Sequence, residues 1–337
     1  MKKEETKQFI KGVERLVKPI DVTAIAFFNT FNRLLPIWFQ KKLMKKTAKQ
    51  IPHMGFVVEP YSTFLCYPIA DCDAAQQLLS DDYRLIKTKI FADDKPQYYI
   101  IFGCFTAHTS AFWGTRIEMY VIAENKNTGL LTWVIVDYDT NTNSYDPARG
   151  LIAANSTDTI MTSTCDGRVL VDMKRDDDSR QLAVEVDTAT GTMAPLDQRL
   201  WLEGNLSVDY GKELSDTQSQ PFSLTFDPKE VQQALSIPAK TVLVEVNNWY
   251  PGLFTSMPTQ VVCFPYAQHF VTDSYAPTNI VTNKKELEKA VHLLGDLQHM
   301  SGFSAKPLKR QLLTGMVFSG VLTMGLLAYT IVDFLTT

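Results

Sequence analysis

The chain has few cysteines and histidines, and neither set is spaced as metal ligands are. Its five cysteines contain no C-x-x-C pair, and its five histidines contain no H-x-x-x-H pair. We therefore predict no metal site, and no motif predicts a cofactor. An odd number of scattered cysteines indicates free thiols in a reducing compartment rather than a disulfide framework.

The sequence also lacks a concentration of positive charge and a secretory signal. The net charge of −4 over 337 residues excludes nucleic acid as a partner, because binding it needs a strongly basic face. Residues 1–18 carry charges on both sides of every short apolar run, whereas a secretory signal has an uninterrupted apolar core. We therefore expect the main body to be cytoplasmic.

One long apolar run stands near the C-terminus. Leu312 to Val332 is a stretch of 21 residues without a charge. As a helix it would be about 31 Å long, which matches a hydrocarbon core of roughly 30 Å. Lys309 and Arg310 precede the run, so the positive-inside rule places that side in the cytoplasm. We predict a single-pass tail anchor in the cell membrane; the alternative is a buried helix of a soluble protein.

Small residues recur along the same run. Gly315 and Ser319 form a small-x-x-x-small pair, followed by Gly320 and Gly325. This spacing lets two helices approach closely, so it suggests a homodimer formed through the transmembrane helix.

A second segment, Val22–Phe39, has helical amphipathic spacing. At 100° per residue one face collects aromatic and leucine side chains, namely Phe27, Phe28, Phe31, Leu34, Leu35 and Trp38. The basic run Lys41–Lys46 follows directly. Two interpretations stay open: a helix in the headgroup layer with its lysines near anionic membrane lipid, or a helix packed on the domain's own core.

The region between these segments is rich in predicted strands. β-branched and aromatic runs ending at Gly, Asn, Asp or Pro predict strands at Gly55–Val58, Thr63–Pro68, Tyr98–Thr106, Arg116–Ala123, Leu131–Tyr138, Thr159–Thr164, Arg168–Lys174, Gln181–Val186, Arg199–Val208, Pro221–Thr225, Thr241–Asn247 and Gln260–Phe264. Short helices are predicted at Cys72–Leu79, Lys229–Leu235 and Lys284–Met300. The fold class is thus mixed but mainly β: a barrel or curved sheet with short helices and one C-terminal transmembrane helix.

The domain boundaries follow from these patterns. We assign residues 1–50 to an amphipathic and basic helical segment, 51–300 to the β-rich domain, 301–311 to a linker and 312–332 to the anchor.

Arg116 and Glu118 form the most informative polar pair. They are two residues apart on a predicted strand, so both side chains lie on one face. If that face lines a cavity, the pair can orient the polar head of a ligand. On an outer face it would be a surface ion pair that stabilises little.

The segment from Phe64 to Asn155 resembles the acetoacetate decarboxylase-like superfamily. The matching pieces are, in chain order, FLCYPIADCDAAQQLLSDDYRL, YYIIFGCF, WGTRIEMYVIA, TWVIVDYD and DPARGLIAAN. The resemblance implies a cone-like β-barrel around an interior site, with Glu118 carried over by position and Arg116 as its neighbour.

The same resemblance bears on the chemistry. The family's decarboxylases form a Schiff base on a lysine in a Gly-aromatic-Pro-Lys-Lys segment. Here Ala153 and Ala154 stand at the lysine positions, and an alanine cannot form an imine. The resemblance therefore implies a barrel without Schiff-base decarboxylation.

Our leading hypothesis is a membrane-anchored barrel that binds a small or lipidic molecule. Arg116 and Glu118 are the first candidates for its polar groups, followed by Asp137 and Arg149. Two rivals stay open. One is a lysine-independent lyase or hydratase using Glu118 in acid–base catalysis. The other is a non-catalytic scaffold that binds protein partners through its sheet or through Lys284–Met300.

Overall fold

The computed structural model describes residues 3–32, 34–36, 38–39, 53–109, 112–146, 150–152, 154–214, 221–273 and 305–336. The α-helices are α1 (Lys3–Leu16), α2 (Pro19–Asn32), α3 (Cys72–Gln77) and α4 (Ala305–Thr336). The strands are β1 (His53–Val58), β2 (Ser62–Pro68), β3 (Tyr83–Leu85), β4 (Tyr99–Thr109), β5 (Trp113–Asn125), β6 (Leu131–Thr140), β7 (Ser144–Asp146), β8 (Gly150–Ile152), β9 (Asp158–Ser163), β10 (Arg168–Lys174), β11 (Gln181–Asp187), β12 (Thr192–Pro195), β13 (Val208–Tyr210), β14 (Leu224–Phe226), β15 (Gln233–Ile237), β16 (Val242–Asn247), β17 (Gln260–Phe264) and β18 (Gln268–Asp273).

A curved sheet of twelve strands forms the body. One part runs in the order β12-β15-β17-β2-β4-β1-β18-β14, and β5 pairs with β4, β6 with β5, and β13 with β6. Strands β2 and β1 follow each other along one edge of β4, because their partners are residues 99–104 and 107–109. A single bridge joins Val208 of β13 to Phe222, just before β14, with N–O distances of 2.9 and 2.8 Å. The sheet therefore curves around an interior space.

A second sheet covers the outer face of the curved sheet. Its order is β16-β11-β10-β9, and all its pairings are antiparallel. Phe102 and Met119 of the curved sheet share a buried apolar core with Val171 and Val184 of the second sheet. Each such side chain contributes on the order of 1.5–3 kcal/mol on leaving water, so this layer holds the two sheets together.

Aromatic side chains close the inner end of the curved sheet. The ring of Phe64 lies 5.0 Å from Trp201 and 5.8 Å from Phe264, measured between centroids. Trp133 donates its indole N–H to the carbonyl of Leu200 at 2.9 Å. Because these groups are packed and hydrogen-bonded, they form a rigid floor for the interior space.

The helix α1 packs on the outer face of β1 and β18. Phe9 and Val13 pack with Val57 and Val271 in a small apolar cluster. His269 of β18 adds a polar contact, because its Nδ1 lies 2.8 Å from Glu230 and its Nε2 lies 3.4 Å from Glu14 of α1.

The helix α4 contains one candidate membrane span. Lys309–Leu335 is long and apolar enough to cross a bilayer, and little of it is buried in the protein. The predicted apolar run Leu312–Val332 lies within it. Near its start α4 packs against α2, where Lys309 Nζ lies 2.5 Å from Asp21 Oδ1.

The segment Val22–Phe39 is not one continuous helix, since α2 ends at Asn32. Its predicted aromatic face is divided: Phe28 and Phe31 are half-buried, whereas Phe27 is 57% and Trp38 67% exposed. The contact that buries α2 is with α4, an arrangement that neither sequence interpretation included.

Most strand predictions are confirmed, and Arg168–Lys174 and Gln260–Phe264 match to the residue. Two predictions are wrong. Arg199–Val208 was expected to be a strand but forms helical turns over Arg199–Glu203 and Gly204–Leu206, with β13 following. Lys229–Leu235 was expected to be a helix; a 3-10 helix does start at the predicted Asp227 cap, but it ends at Val231 and the chain continues as β15. The predicted helix Lys284–Met300 lies outside the described residues.

Candidate functional site

The curved sheet encloses a cavity of about 170 Å³ on its inner face. Its walls come from strands distant in sequence, and most of its lining is apolar. The lining residues include Phe56, Val58, Phe64, Phe105, Ala107, Thr109, Phe112, Gly114, Arg116, Glu118, Tyr120, Trp133, Ile135, Thr140, Thr142, Trp201, Asn205, Val208, Tyr210, Phe222, Leu224, Phe264, Gln268, Phe270 and Thr272.

Strand alternation places one polar cluster on this wall. Arg116, Glu118 and Tyr120 are successive same-face residues of β5, while Ile117 and Met119 face the second sheet. Arg116 donates from Nε to Glu118 Oε1, and Tyr120 donates its hydroxyl to Glu118 Oε2. The carboxylate of Glu118 is therefore held by two donors, one on each oxygen.

The charge state of this cluster follows from its surroundings. Burial alone would lower the pKa of Arg116, but the adjacent Glu118 carboxylate, together with Tyr210 and Tyr138, outweighs it and raises that pKa above its usual value. Burial, reinforced by Glu118, raises the pKa of Tyr120 well above its usual range. Arg116 is therefore a cation and Tyr120 a neutral hydroxyl at physiological pH.

The Arg116 guanidinium has N–H donors beyond the one that binds Glu118. Its guanidinium lies 4.1 Å from the centre of the Tyr138 ring, which fixes its plane. In the part of the chain that the structure describes, only its Nε is engaged in a hydrogen bond. Two Nη groups are thus available to a ligand, in the fork geometry that suits a carboxylate.

Glycine opens space beside this cluster. Gly103 of β4 pairs with Glu118, and a Cβ built on it would lie 2.9 Å from the Phe64 ring and 3.0 Å from the Tyr120 ring. Both distances are shorter than side chains normally allow, so Gly103 permits the rings to approach the strand.

Asp137 does not share this wall. The β5–β6 pairing shifts between Met119 and Tyr120, and the resulting irregularity places Ile135 and Tyr138 on the cavity side. Asp137 instead contacts Arg175 at 2.9 Å and the Tyr250 hydroxyl at 3.2 Å, away from the cavity lining. The fourth candidate, Arg149, lies outside the described residues.

The Asp137 cluster contains a second carboxylate. Asp139 is buried and accepts from Arg175 Nε at 2.6 Å, while its Oδ2 has no hydrogen-bond partner among the described residues. Burial raises the pKa of Asp139 to about 6, against the opposing pull of Arg175. Arg175 was not identified from the sequence, because a lone arginine after a strand carries no pattern. Tyr120 was also missed, although its spacing from Glu118 repeats that of Arg116.

The two ends of the cavity differ. Buried Trp133, Trp201 and Phe264 close one end, whereas Phe112 and Thr142 at the other end are half-buried. The second end also includes Thr272, near the end of β18. The last turn of α1 contacts this part of the sheet, since a Cβ on Gly55 would lie 2.8 Å from Leu16 Cβ. Helix α2 begins three residues later, at Pro19.

No family model matches the chain, and no curated protein matches it.

The chain is similar in fold to solved acetoacetate decarboxylase structures. One is the acetoacetate decarboxylase of Legionella pneumophila subsp. pneumophila str. Philadelphia 1, at 12% identity and a TM-score of 0.37, covering 64% of this chain and 84% of that one. Another, described as structural studies of acetoacetate decarboxylase, has 8% identity and a TM-score of 0.34, covering 64% and 85%. The fold resemblance expected from the sequence is thus found again.

Proposed function

We propose that this protein is a membrane-anchored, acetoacetate decarboxylase-like domain that binds a small, mainly apolar molecule with an anionic head, and that it does so without Schiff-base decarboxylation. The observation that carries the proposal is the Arg116–Glu118–Tyr120 cluster on the wall of an otherwise aromatic cavity. A cavity with a few convergent polar groups in apolar surroundings is the usual form of a small-molecule site.

The cavity volume limits the size of the ligand. About 170 Å³ is close to the roughly 150 Å³ of an engineered apolar cavity that binds benzene. A ring or short chain fits such a space, whereas a whole lipid does not. The proposed ligand is therefore a short-chain or aromatic acid, or the end of a longer molecule whose remainder stays outside.

The polar cluster supports an acidic head group. Glu118 already receives hydrogen bonds from Arg116 and Tyr120, so it does not need a ligand to satisfy it. The Nη groups of Arg116 can bind a carboxylate at the cavity wall. The same two bonds count against Glu118 as a free proton acceptor, which makes binding the better-supported function than lyase or hydratase chemistry.

Schiff-base chemistry is not part of the proposal. Alanines stand at the positions where the resembling family has its lysines, Ala153 and Ala154. Among the described residues that line the cavity, none is a lysine.

Membrane attachment would place the cavity close to lipid. The span in α4 supports an anchor, and Lys309 and Arg310 at its start support a cytoplasmic position for the body. The half-buried end of the cavity is near the last turn of α1, three residues before α2 begins. An amphiphilic acid that partitions into the membrane would then be concentrated near the site.

Binding can be tested with the full chain in lipid nanodiscs. We expect 4-fluorobenzoate to bind, measured by ¹⁹F NMR, and hexanoate to bind, measured by calorimetry. Toluene, which lacks an acidic group, should bind more weakly. Ala107→Phe fills the cavity from β4 and should remove binding while the melting temperature changes little. Arg116→Lys keeps the charge but not the fork, so it should weaken acid binding about tenfold. Arg84→Lys, at an exposed pair with Glu124, is the matched control.

Two outcomes would count against the proposal. Unchanged acid binding in Ala107→Phe would place the ligand elsewhere. Turnover of an added acid that disappears in Glu118→Gln, with folding retained, would instead establish the enzymatic rival.

A further inference from the structure

We propose that α2 is itself embedded in the bilayer, lying within the near leaflet along the first half of the α4 span. The lipid-facing unit would then be a helix pair rather than a single tail anchor. This inference rests on the proposed anchoring through α4 and adds to it the position of a second element.

Two contacts fix the direction of α2 along α4. At one end Asp21, in the first turn of α2, forms an ion pair with Lys309. At the other end the Phe39 ring, seven residues after α2, lies 5.9 Å from the Phe318 ring. The two segments therefore run in the same direction. Phe318 lies six residues beyond Leu312, where the charge-free run begins, which corresponds to roughly 9 Å along the helix. At that depth, within the near leaflet, the long side chains of the lysines that follow Phe39 in the sequence can still reach the headgroups.

The contact face of α4 is built from small residues. Leu312, Gly315 and Ser319 are the buried positions of the described helix, and they lie on one face at spacings of three and four residues. On the opposing helix Ile25 is fully buried. Small residues at this spacing allow two helices to approach closely in lipid. From Gly320 to Leu335 every residue is exposed, so the cover provided by α2 ends near mid-span.

The opposite face of α2 is apolar and exposed. Ile20, Phe27, Leu34 and Trp38 project from it or from the segment after it, each more than half exposed. On α4, Val317 and Phe318 are also more than half exposed, and Phe318 is the residue whose ring lies near Phe39. We expect lipid acyl chains to cover this apolar patch, because it adjoins a membrane span and its exposure to water is unfavourable.

The polar groups of α2 are few: between Val22 and Asn32 they are Thr23, Asn29, Thr30 and Asn32. No residue between Val22 and Asn32 is charged, and Asp21 is neutralised by Lys309 at the level where the span begins. The hydroxyls of Thr23 and Thr30 donate to the carbonyls of Pro19 and Ala26, so they need no water.

This arrangement bears on the two membrane expectations from the sequence. A helix lying flat in the headgroup layer is replaced by one that runs beside the span. The homodimer expected through Gly315 and Ser319 would have to displace α2, whereas Gly320 and Gly325 remain accessible.

Depth-dependent fluorescence quenching tests the proposal on the full chain. In a Cys72→Ser/Cys165→Ser background, which removes the two exposed thiols, an NBD label is placed at Phe27→Cys, Val321→Cys or Lys11→Cys. The protein is reconstituted in phosphatidylcholine vesicles containing nitroxide-labelled lipid. We expect NBD at position 27 to be quenched nearly as strongly as at 321, and at least threefold more than at 11, which lies on α1.

The outcomes separate this inference from the anchor itself. Quenching at 321 but not at 27 overturns the placement of α2 and leaves the anchor in place. An absence of quenching at both positions overturns the anchor and this inference together.

A second pair of variants tests the helix contact by hydrogen exchange. Ser319→Leu should push α2 away and raise exchange of its amides at least tenfold. Gly320→Leu is the matched control, since a Cβ at that position meets no heavy atom within 4 Å. Unchanged exchange in Ser319→Leu would refute the contact.

Discussion

Arg116 and Glu118 form an ion pair inside the curved sheet, with side chains only 12% and 9% exposed. The two residues are neighbours on the cavity face of β5. Tyr120, the next residue on that face, donates its hydroxyl to the Glu118 carboxylate. A pair withdrawn from water in this way behaves differently from one on the surface. Each charge has lost its hydration, and the attraction of the opposite charge offsets that loss.

Glu118→Gln should therefore destabilise the fold by about 3–5 kcal/mol, because it leaves the Arg116 cation buried without a counter-charge. Thermal and denaturant unfolding of the full chain in nanodiscs would measure the loss. Adding Arg116→Met to Glu118→Gln should recover part of it, since the uncompensated charge is then gone.

Glu124→Gln is the control for this prediction. Glu124 pairs with Arg84 and Arg199, which are mostly exposed, so its loss should cost less than about 1 kcal/mol. Equal costs at Glu118 and Glu124 would show that the inner pair is solvated.

Gly103→Ala should also destabilise the protein, by roughly 1–3 kcal/mol, because the new methyl group meets the rings of Phe64 and Tyr120. The displaced Tyr120 would no longer donate squarely to Glu118, so acid binding should weaken as well. Gly320→Ala, where no atom is close, should leave the unfolding of the body unchanged. A neutral Gly103→Ala would mean that the two rings yield at no cost.

The sequence predicted most of the strands but not their pairing. Runs such as Arg168–Lys174 carry enough β-branched residues to be identified locally, and they are strands of the predicted extent. Residues after Pro228 have a helical start signal, yet Gln233–Ile237 pairs with β12 and β17, and that long-range pairing overrides the local preference. The strand β18 was missed altogether, although it borders the cavity.

The candidate site was predictable only along a single strand. Alternation alone brings Arg116 and Glu118 to one face, and the structure places both on the cavity wall. Asp137 was grouped with them, but the irregularity in the β5–β6 pairing sends it to the other side. Such an irregularity depends on two strands at once, so no pattern within β6 reveals it.

The contact between α1 and the sheet should depend on pH through His269. Burial alone would lower the pKa of His269, but Glu230 and Glu14 together raise it above its usual value. A raised pKa in the folded state gives stability that is complete below about pH 6.5 and is lost as the pH rises through the raised value. Exchange of the Phe9 and Val13 amides, corrected for intrinsic rates, should therefore accelerate between pH 6 and pH 9.

Two histidine variants separate this effect from a general one. His269→Gln should abolish the pH dependence of α1 exchange. His108→Gln, which removes a histidine paired with Glu59 at another strand, should retain it. The same slope in both variants would assign the effect to other groups.

Asp139 should lower the stability of the protein as the pH rises. Its pKa is raised by burial to about 6, from an ordinary value near 4, so the folded state holds the proton more tightly than the unfolded state. The resulting stability is complete below about pH 4 and is lost as the pH rises through about 6, a change of at most about 3 kcal/mol. Denaturant unfolding from pH 4 to pH 8 would show this contribution as the difference between the parent and Asp139→Asn.

The comparison works because Asp139→Asn keeps the shape of the side chain while removing the ionisation. The free energy of unfolding of the variant should change less between pH 4 and pH 7 than that of the parent, so the parent should lose stability relative to the variant as the pH rises. Asp172→Asn on the exposed side of β10 should follow the parent. If the parent instead gains stability relative to the variant as the pH rises, the bond to Arg175 stabilises the carboxylate more than burial opposes it, and Asp139 is charged throughout.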